Sequence, residues 1–230
     1  VDLVHSSLNP GKACVWEFGR QRLEVTGEFA LVTLDRRGVQ RACLVSGTEL
    51  RVGDFVLRAP PPFACRVGGV DFEQNGVWLE RPLAVGRFYR DPVVIFENEG
   101  HSASYMIRSV RTEGDRTFIS FGDTLFVVGM GHVEALDSAA GTVRSHEALA
   151  GYGRVDGGRH AGRWLYNEER SRGFRIKGVE KDTFLLESGG AALESVFTDA
   201  DGDGRRRYWI SDVGPGDRAR IPSAVWVSRE

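Results

Sequence analysis

Residues 98–110 read NEGHSASYMIRSV and residues 167–179 read NEERSRGFRIKGV, with Asn, Glu, Ser, an aromatic, Ile and Val at identical offsets and no gap. The match extends outward on both sides. Upstream, Asp71, Val77, Leu83 and Ala84 correspond at a shift of 66 residues to Asp137, Val143, Leu149 and Ala150; downstream, Thr117-Phe118 corresponds to Thr183-Phe184. A repeat of this period marks a supersecondary unit, and two copies can bury a shared or stacked core. The sequence therefore predicts an internal tandem repeat, with β units at 66–132 and from 133 onward, the second followed by C-terminal strands to residue 230.

Around this pair run short segments rich in Val, Ile, Phe and Leu, among them FALVTL, ACLVS, GVWLE, PVVIF, TFISF, LFVVG, TFLLES and RYWISDV. Each is four to seven residues long and bounded by Gly, Asp, Asn or Pro, the pattern of short antiparallel strands. The single helical candidate, GGAALESV at 189–196, is brief. The expected fold is all-β, short antiparallel strands in sandwich-like or barrel-like units. Residues 1–65 form a distinct strand-rich segment that ends in APPPF at 59–63, read as a stiff connector because proline donates nothing to a ladder. Its strands look too few for a free-standing sandwich, so it is expected to complete a neighbouring sheet or to pack on the first repeat.

Composition narrows the function. The 230 residues carry 30 Lys+Arg against 32 Asp+Glu, a net charge of −2 that gives no broad basic field for a phosphate backbone. No apolar run approaches the roughly 20 residues that a bilayer helix needs. The chain opens VDLVHSSLNP, without the basic and apolar regions of a secretory signal, and is read as a piece processed or excised from a longer protein. Cys14, Cys43 and Cys65 sit in apolar settings, readable as buried thiols or as one Cys14–Cys43 disulfide plus a thiol.

The repeat also weighs the catalytic candidates. His101 and Tyr105 lie four apart, as an acid/base pair could, but Arg170 and Phe174 stand at the equivalent places. The aromatic position then reads as core packing, with catalysis the minor alternative. Asn98 and Asn167, each followed by Glu, read as turn residues whose side chains bond their own backbone. His5, His132, His146 and His160 form no ligand spacing, and no nucleophile elbow or phosphate loop occurs.

Two further features carry chemistry. Asp199, Asp201, Asp203 and Gly204 match D-x-D-x-D-G, the first half of a calcium loop, although the twelfth position is Ile210 rather than Glu. Asp212 is the substitute ligand in a structural calcium site; the other reading is an Asp/Gly turn neutralised by Arg205, Arg206 and Arg207. Nothing requires a cofactor beyond such a calcium. Arg87, Tyr89 and Arg90, and separately Arg207 and Trp209, combine planar cations with aromatic faces suited to carboxylate recognition and sugar stacking, or else mark strands with one solvated and one buried face.

The runs FALVTLDRRGVQRACLVSGTELRVGDFVLR, VGGVDFEQNGVWLERPLA and VIFENEGHSASYMIRSV resemble the C-terminal β regions of bacterial heparinase II/III-like polysaccharide lyases. The resemblance implies a secreted, periplasmic or surface protein in which this chain is a non-catalytic accessory module beside an adjoining domain, contacting acidic polysaccharide. It carries no catalytic residue onto a numbered position. Two alternatives remain in view. One is a ligand-free connector of a surface or fibre protein; the other is an independent lyase using His101, Tyr105 or the pair Glu97 and Glu99, which would share a face of a continuous strand.

Overall fold

The computed structural model describes all residues except Leu8, 84–91, 123–126, 147–159 and 229–230. Among the described residues there are 21 strands and a single four-residue helix, α1 (Leu193–Val196), so the all-β expectation holds. No helix among them is long and apolar enough to cross a membrane. The chain divides into two compact units, one of residues 1–64, 83–94 and 220–230, the other of 65–82 and 95–219.

The first unit is a pair of four-stranded antiparallel sheets. One contains β1 (Asp2–Ser6), β4 (Phe29–Asp35), β5 (Gly38–Val45) and β21 (Ala224–Ser228), in the order β1-β4-β5-β21. The other contains β2 (Cys14–Phe18), β3 (Gln21–Thr26), β6 (Glu49–Val52) and β7 (Phe55–Arg58), in that order. Period-two alternation sends Ala30, Val32 and Leu34 inward from β4, to share one core with Leu23, Val25, Leu44 and Leu50. Each of the Val and Leu side chains contributes about 1.5–3 kcal/mol by leaving water. The last strand, placed with the second repeat by sequence, instead pairs along β5 from Ala224↔Val45 to Ser228↔Arg41 and completes this sandwich. The prolines at 60–62 are pinned as well: the Pro60 carbonyl accepts from Gly47 N at 2.8 Å and from the Ser223 hydroxyl.

None of the three cysteines forms a disulfide, which removes the Cys14–Cys43 alternative. Burial pushes the Cys65 thiol up to about 11, leaving it protonated at neutral pH.

A closed barrel forms around β8 (Phe63–Asp71), β9 (Gly76–Leu79), β10 (Val93–Glu97), β11 (Ser102–Glu113), β12 (Arg116–Phe121) and β20 (Arg218–Ile221), in the order β10-β11-β12-β9-β8-β20. Val67, Val77, Leu79, Phe96, Ile119 and Phe121 are fully buried on these strands.

The remaining strands are β13 (Val127–His132), β14 (Ala135–Asp137), β15 (Thr142–Arg144), β16 (Trp164–Asn167), β17 (Gly173–Glu180), β18 (Thr183–Leu186) and β19 (Arg207–Ser211). They make an open seven-stranded sheet in the order β13-β19-β16-β17-β18-β15-β14, over a core that includes Leu165, Phe174, Ile176, Phe184, Phe197 and Tyr208. Strands β8–β12 and β14–β18 run through their sheets in the same order. Each long hairpin also carries a bulge, between Ile107 and Ser109 in β11 and between Ile176 and Gly178 in β17, the same 69 residues apart as the two Asn-Glu turns. One set closes into a barrel; the other stays open.

Candidate functional site

The two Asn-Glu segments are both turns in which the Asn side chain replaces a backbone partner. Asn98 Oδ1 accepts from Gly100 N at 3.1 Å, and Asn167 Oδ1 accepts from Arg172 N at 3.0 Å. The pairing of Glu97 with Glu99 dissolves here, because β10 ends at Glu97 and strand alternation does not continue through the turn.

The first turn leads into a polar cluster that unites three residues singled out by sequence. Tyr105 donates its hydroxyl to Asp212 Oδ2 at 2.7 Å, and Arg163 Nε donates to Asp212 Oδ1 at 2.7 Å. His101 Nε2 lies 2.9 Å from the same Oδ1, within ion-pair reach but off line for a hydrogen bond. Burial raises the Asp212 carboxyl, but His101, Tyr105 and Arg163 outweigh it and hold the group below its ordinary value. Burial and the Asp212 charge push the Tyr105 phenol far up. Its proton is therefore held, and its ring packs 5.0 Å from Phe121 and 6.1 Å from Phe96. The core-packing reading holds for the ring and for Phe174; the hydroxyl adds a clamp.

Behind it lies a second carboxylate. The Asp217 side chain is fully buried and accepts from Gly214 N at 2.9 Å, Trp164 Nε1 at 3.0 Å, Asn98 Nδ2 at 3.0 Å and Arg175 at 3.2 Å. Burial nonetheless keeps its carboxyl above the ordinary value. Two glycines make the arrangement possible. A Cβ on Gly214 would lie 2.2 Å from the Trp164 ring; one on Gly162, whose φ is +81°, would lie 2.4 Å from Asn98 Oδ1.

The second turn lines a groove of about 360 Å³ whose walls include Phe72, Glu73, Trp78, Glu168, Glu169 and Arg170. Arg170 adopts φ +56°, a left-handed conformation that strains a non-glycine residue. Its guanidinium stacks 4.4 Å from the Trp209 ring centroid and 5.7 Å from that of Phe72. Trp209 Nε1 donates to the Glu168 carbonyl at 3.0 Å, and the Phe72 ring meets Tyr166 edge-on at 4.9 Å. Trp78 is half-buried, with Arg111 and Arg116 at 5.6 and 5.4 Å. Arg170 Nε and Glu168 Oε2 are shielded from solvent and have no hydrogen-bond partner among the described residues.

The other sequence candidates divide. Arg87, Tyr89 and Arg90 lie outside the described residues. Trp209 backs the groove through Arg170, whereas Arg207 is spent on salt bridges to Glu168 at 2.6 Å, Asp201 at 3.0 Å and Asp203. Asp199 receives the backbone N–H groups of Asp203 and Gly204 at 3.1 and 2.8 Å. Asp212 is committed to its own cluster, and no three His, Cys, Asp or Glu side chains among the described residues are placed to hold a metal ion. The four aspartates therefore do not fit a calcium site. The Asp/Gly turn closes on itself and on Arg207.

Sequence reasoning missed Arg163, Asp217, Phe72, Trp78 and Arg170. The signal for Arg170 was present: an arginine stands where the parallel turn has His101. Compared with protein-family models and with curated proteins, the chain matches none.

Proposed function

We propose that the chain is a non-catalytic accessory module that binds polysaccharide through the groove at Phe72, Trp78 and Arg170, beside an adjoining carbohydrate-active domain. The supporting observation is the groove's composition: Phe72 and Trp78 beside Arg170, whose guanidinium stacks on Phe72, with carboxylates at the rim. Aromatic rings accept the C–H face of a sugar, and Arg and Glu side chains bond its rim.

The polar cluster at Asp212 supports the non-catalytic reading. A general base must give up its proton near the working pH, and burial beside a carboxylate holds the Tyr105 proton in place. The cluster ties β11 to the segments bearing Arg163 and Asp212 and serves the scaffold.

Affinity electrophoresis through gels containing polysaccharides tests the proposal. The protein is retarded in at least one gel, and Trp78→Ala, checked for unchanged folding by circular dichroism, loses about tenfold of that retention, the equivalent of about 1.4 kcal/mol. Equal migration of parent and variant in every gel overturns it and favours a ligand-free connector.

A further inference from the structure

We infer that β21 is an association edge, along which a second copy of this chain adds its own β21 antiparallel about a two-fold axis. Sheet ends offer backbone donors and acceptors to any passing strand, and proteins blunt them with charge, bulges or brevity. Among the described residues six strands end a sheet: β1, β2, β7, β13, β14 and β21. Five carry such a device. β1 has Asp2, β2 has Glu17 and β7 has Arg58; β13 is broken by a register shift between Val127 and Gly129, and β14 is three residues long and ends in Asp137. The sixth, β21, reads Ala224-Val225-Trp226-Val227-Ser228, with no charge, glycine or proline and an unbroken register on β5. Its central Trp226 is 59% exposed.

Hydrogen-bond parity decides which backbone groups face outward. Ser46 N donates to the Ser223 carbonyl at 3.0 Å, one step before the pair Ala224↔Val45. Bonded and non-bonded pairs alternate along an antiparallel ladder, so Val225 and Val227 bond to β5. The N–H and C=O groups of Ala224, Trp226 and Ser228 therefore point away from β5.

The occupant follows from the strand's own symmetry. Read in either direction, β21 runs small, Val, Trp, Val, small. A two-fold axis through Trp226, perpendicular to the sheet, lays the strand on itself in register, as an isologous contact requires. Ala224 comes opposite Ser228 of the partner subunit, Val225 opposite Val227 of the partner subunit, and Trp226 opposite its own counterpart. In this register the pairs at 224, 226 and 228 are the bonded ones, and they use the groups that point away from β5. Val225 packs on the sandwich core, so the valines meet on the inner face and the tryptophans on the outer one, as a cross-strand aromatic pair. A contact of five residues a side is small against the roughly 20–30 of a stable interface, which makes the dimer a transient one.

The test is sedimentation velocity of the whole chain from about 10 to about 500 μM, without any polysaccharide, a range that brackets weak association. The sedimentation coefficient is expected to rise with concentration toward that of a dimer. Amide exchange followed by NMR slows over the same range at Ala224, Trp226 and Ser228, and stays constant at Val225 and Val227, which β5 already protects. Trp226→Lys sets two like charges opposite each other at the axis and weakens association by about tenfold or more. Ala224→Pro removes an N–H that β5 does not use, and it weakens association while leaving the β5 ladder intact. Circular dichroism and an unchanged urea midpoint establish that each variant folds. Met130→Lys, at an exposed apolar residue of β13, leaves association unchanged. A monomer at every concentration overturns the inference. So does a dimer that withstands both β21 variants, or one that Met130→Lys abolishes, since the contact then lies elsewhere.

Discussion

The turns at Asn98 and Asn167 share their Asn-Glu pair and the asparagine's bond to a following backbone N–H, yet one is closed by buried carboxylates and the other lines a groove. Around the first, Asn98, Trp164, Gly214 N and Arg175 converge on Asp217, and Tyr105 and Arg163 on Asp212, while His101 Nε2 and Arg175 Nε have no hydrogen-bond partner among the described residues. Around the second, Asn167 closes on Ser171 and Arg172, while Glu168 and Arg170 line a groove. A buried carboxylate that gathers several donors fixes a scaffold, because its loss strands all of them. A groove lined by aromatic and charged side chains leaves surface that a ligand can cover. On the proposed function, the first turn serves stability and the second recognition.

The largest expected break falls on the closed side. Asp217→Ala removes a fully buried carboxylate and strands the Arg175 guanidinium, the Trp164 indole N–H and two further donors. Removing one partner of a buried charge pair costs about 3–5 kcal/mol. Urea unfolding of the variant will show a midpoint lowered accordingly. A loss under about 1 kcal/mol would mean that the network is incidental and that the contrast between the turns fails.

Next in size is the pH response, in which the two aspartates act with opposite sign. Asp212 is held below its ordinary value of 3.8, so the stability it contributes is complete above that value and drains as pH falls through the lowered one. Asp217 is held above 3.8, so its contribution is complete below that value and is lost as pH rises through the raised one. Urea midpoints measured from pH 2.5 to 7 will therefore peak on the mildly acidic side. Asp217→Asn removes the decline toward neutrality, and Asp212→Asn removes the steepest part of the acid loss. Identical profiles in the parent and both variants would show that neither carboxyl is perturbed by its surroundings.

These effects also mark what could be read from the sequence. The strands were legible because each is short, β-branched and bounded by Gly or Asp, and Phe174 was legible as core from its alignment with Tyr105. His101, Tyr105 and Asp212 were each singled out, but for separate reasons. Their convergence depends on Arg163, 49 residues from Asp212, and no local pattern encodes a pairing at that distance. The D-x-D-x-D-G loop was legible as a turn, whereas its partner was settled by Arg207 folding back across it. The C-terminal strand was misassigned because period-two alternation identifies a strand and not its sheet.

The smallest change in stability, and the sharpest separation of the two turns, comes from Arg170→Gly. Arginine at φ +56° carries a left-handed penalty of about 1–2 kcal/mol that glycine escapes. Against that relief stand the entropy of a glycine in the unfolded chain, about 0.5–1 kcal/mol, and the lost stacking on Trp209, about 0.5–1 kcal/mol. The terms nearly cancel, so the urea midpoint moves by less than the equivalent of about 1 kcal/mol. Retention on polysaccharide falls nonetheless, since the groove has lost its Arg170 side chain. An arginine kept in a strained conformation, at almost no net gain to the fold, is then explained by what it binds. A loss of several kcal/mol in the same variant would instead make Arg170 a clamp between Phe72 and Trp209, and the second turn would belong to the scaffold like the first.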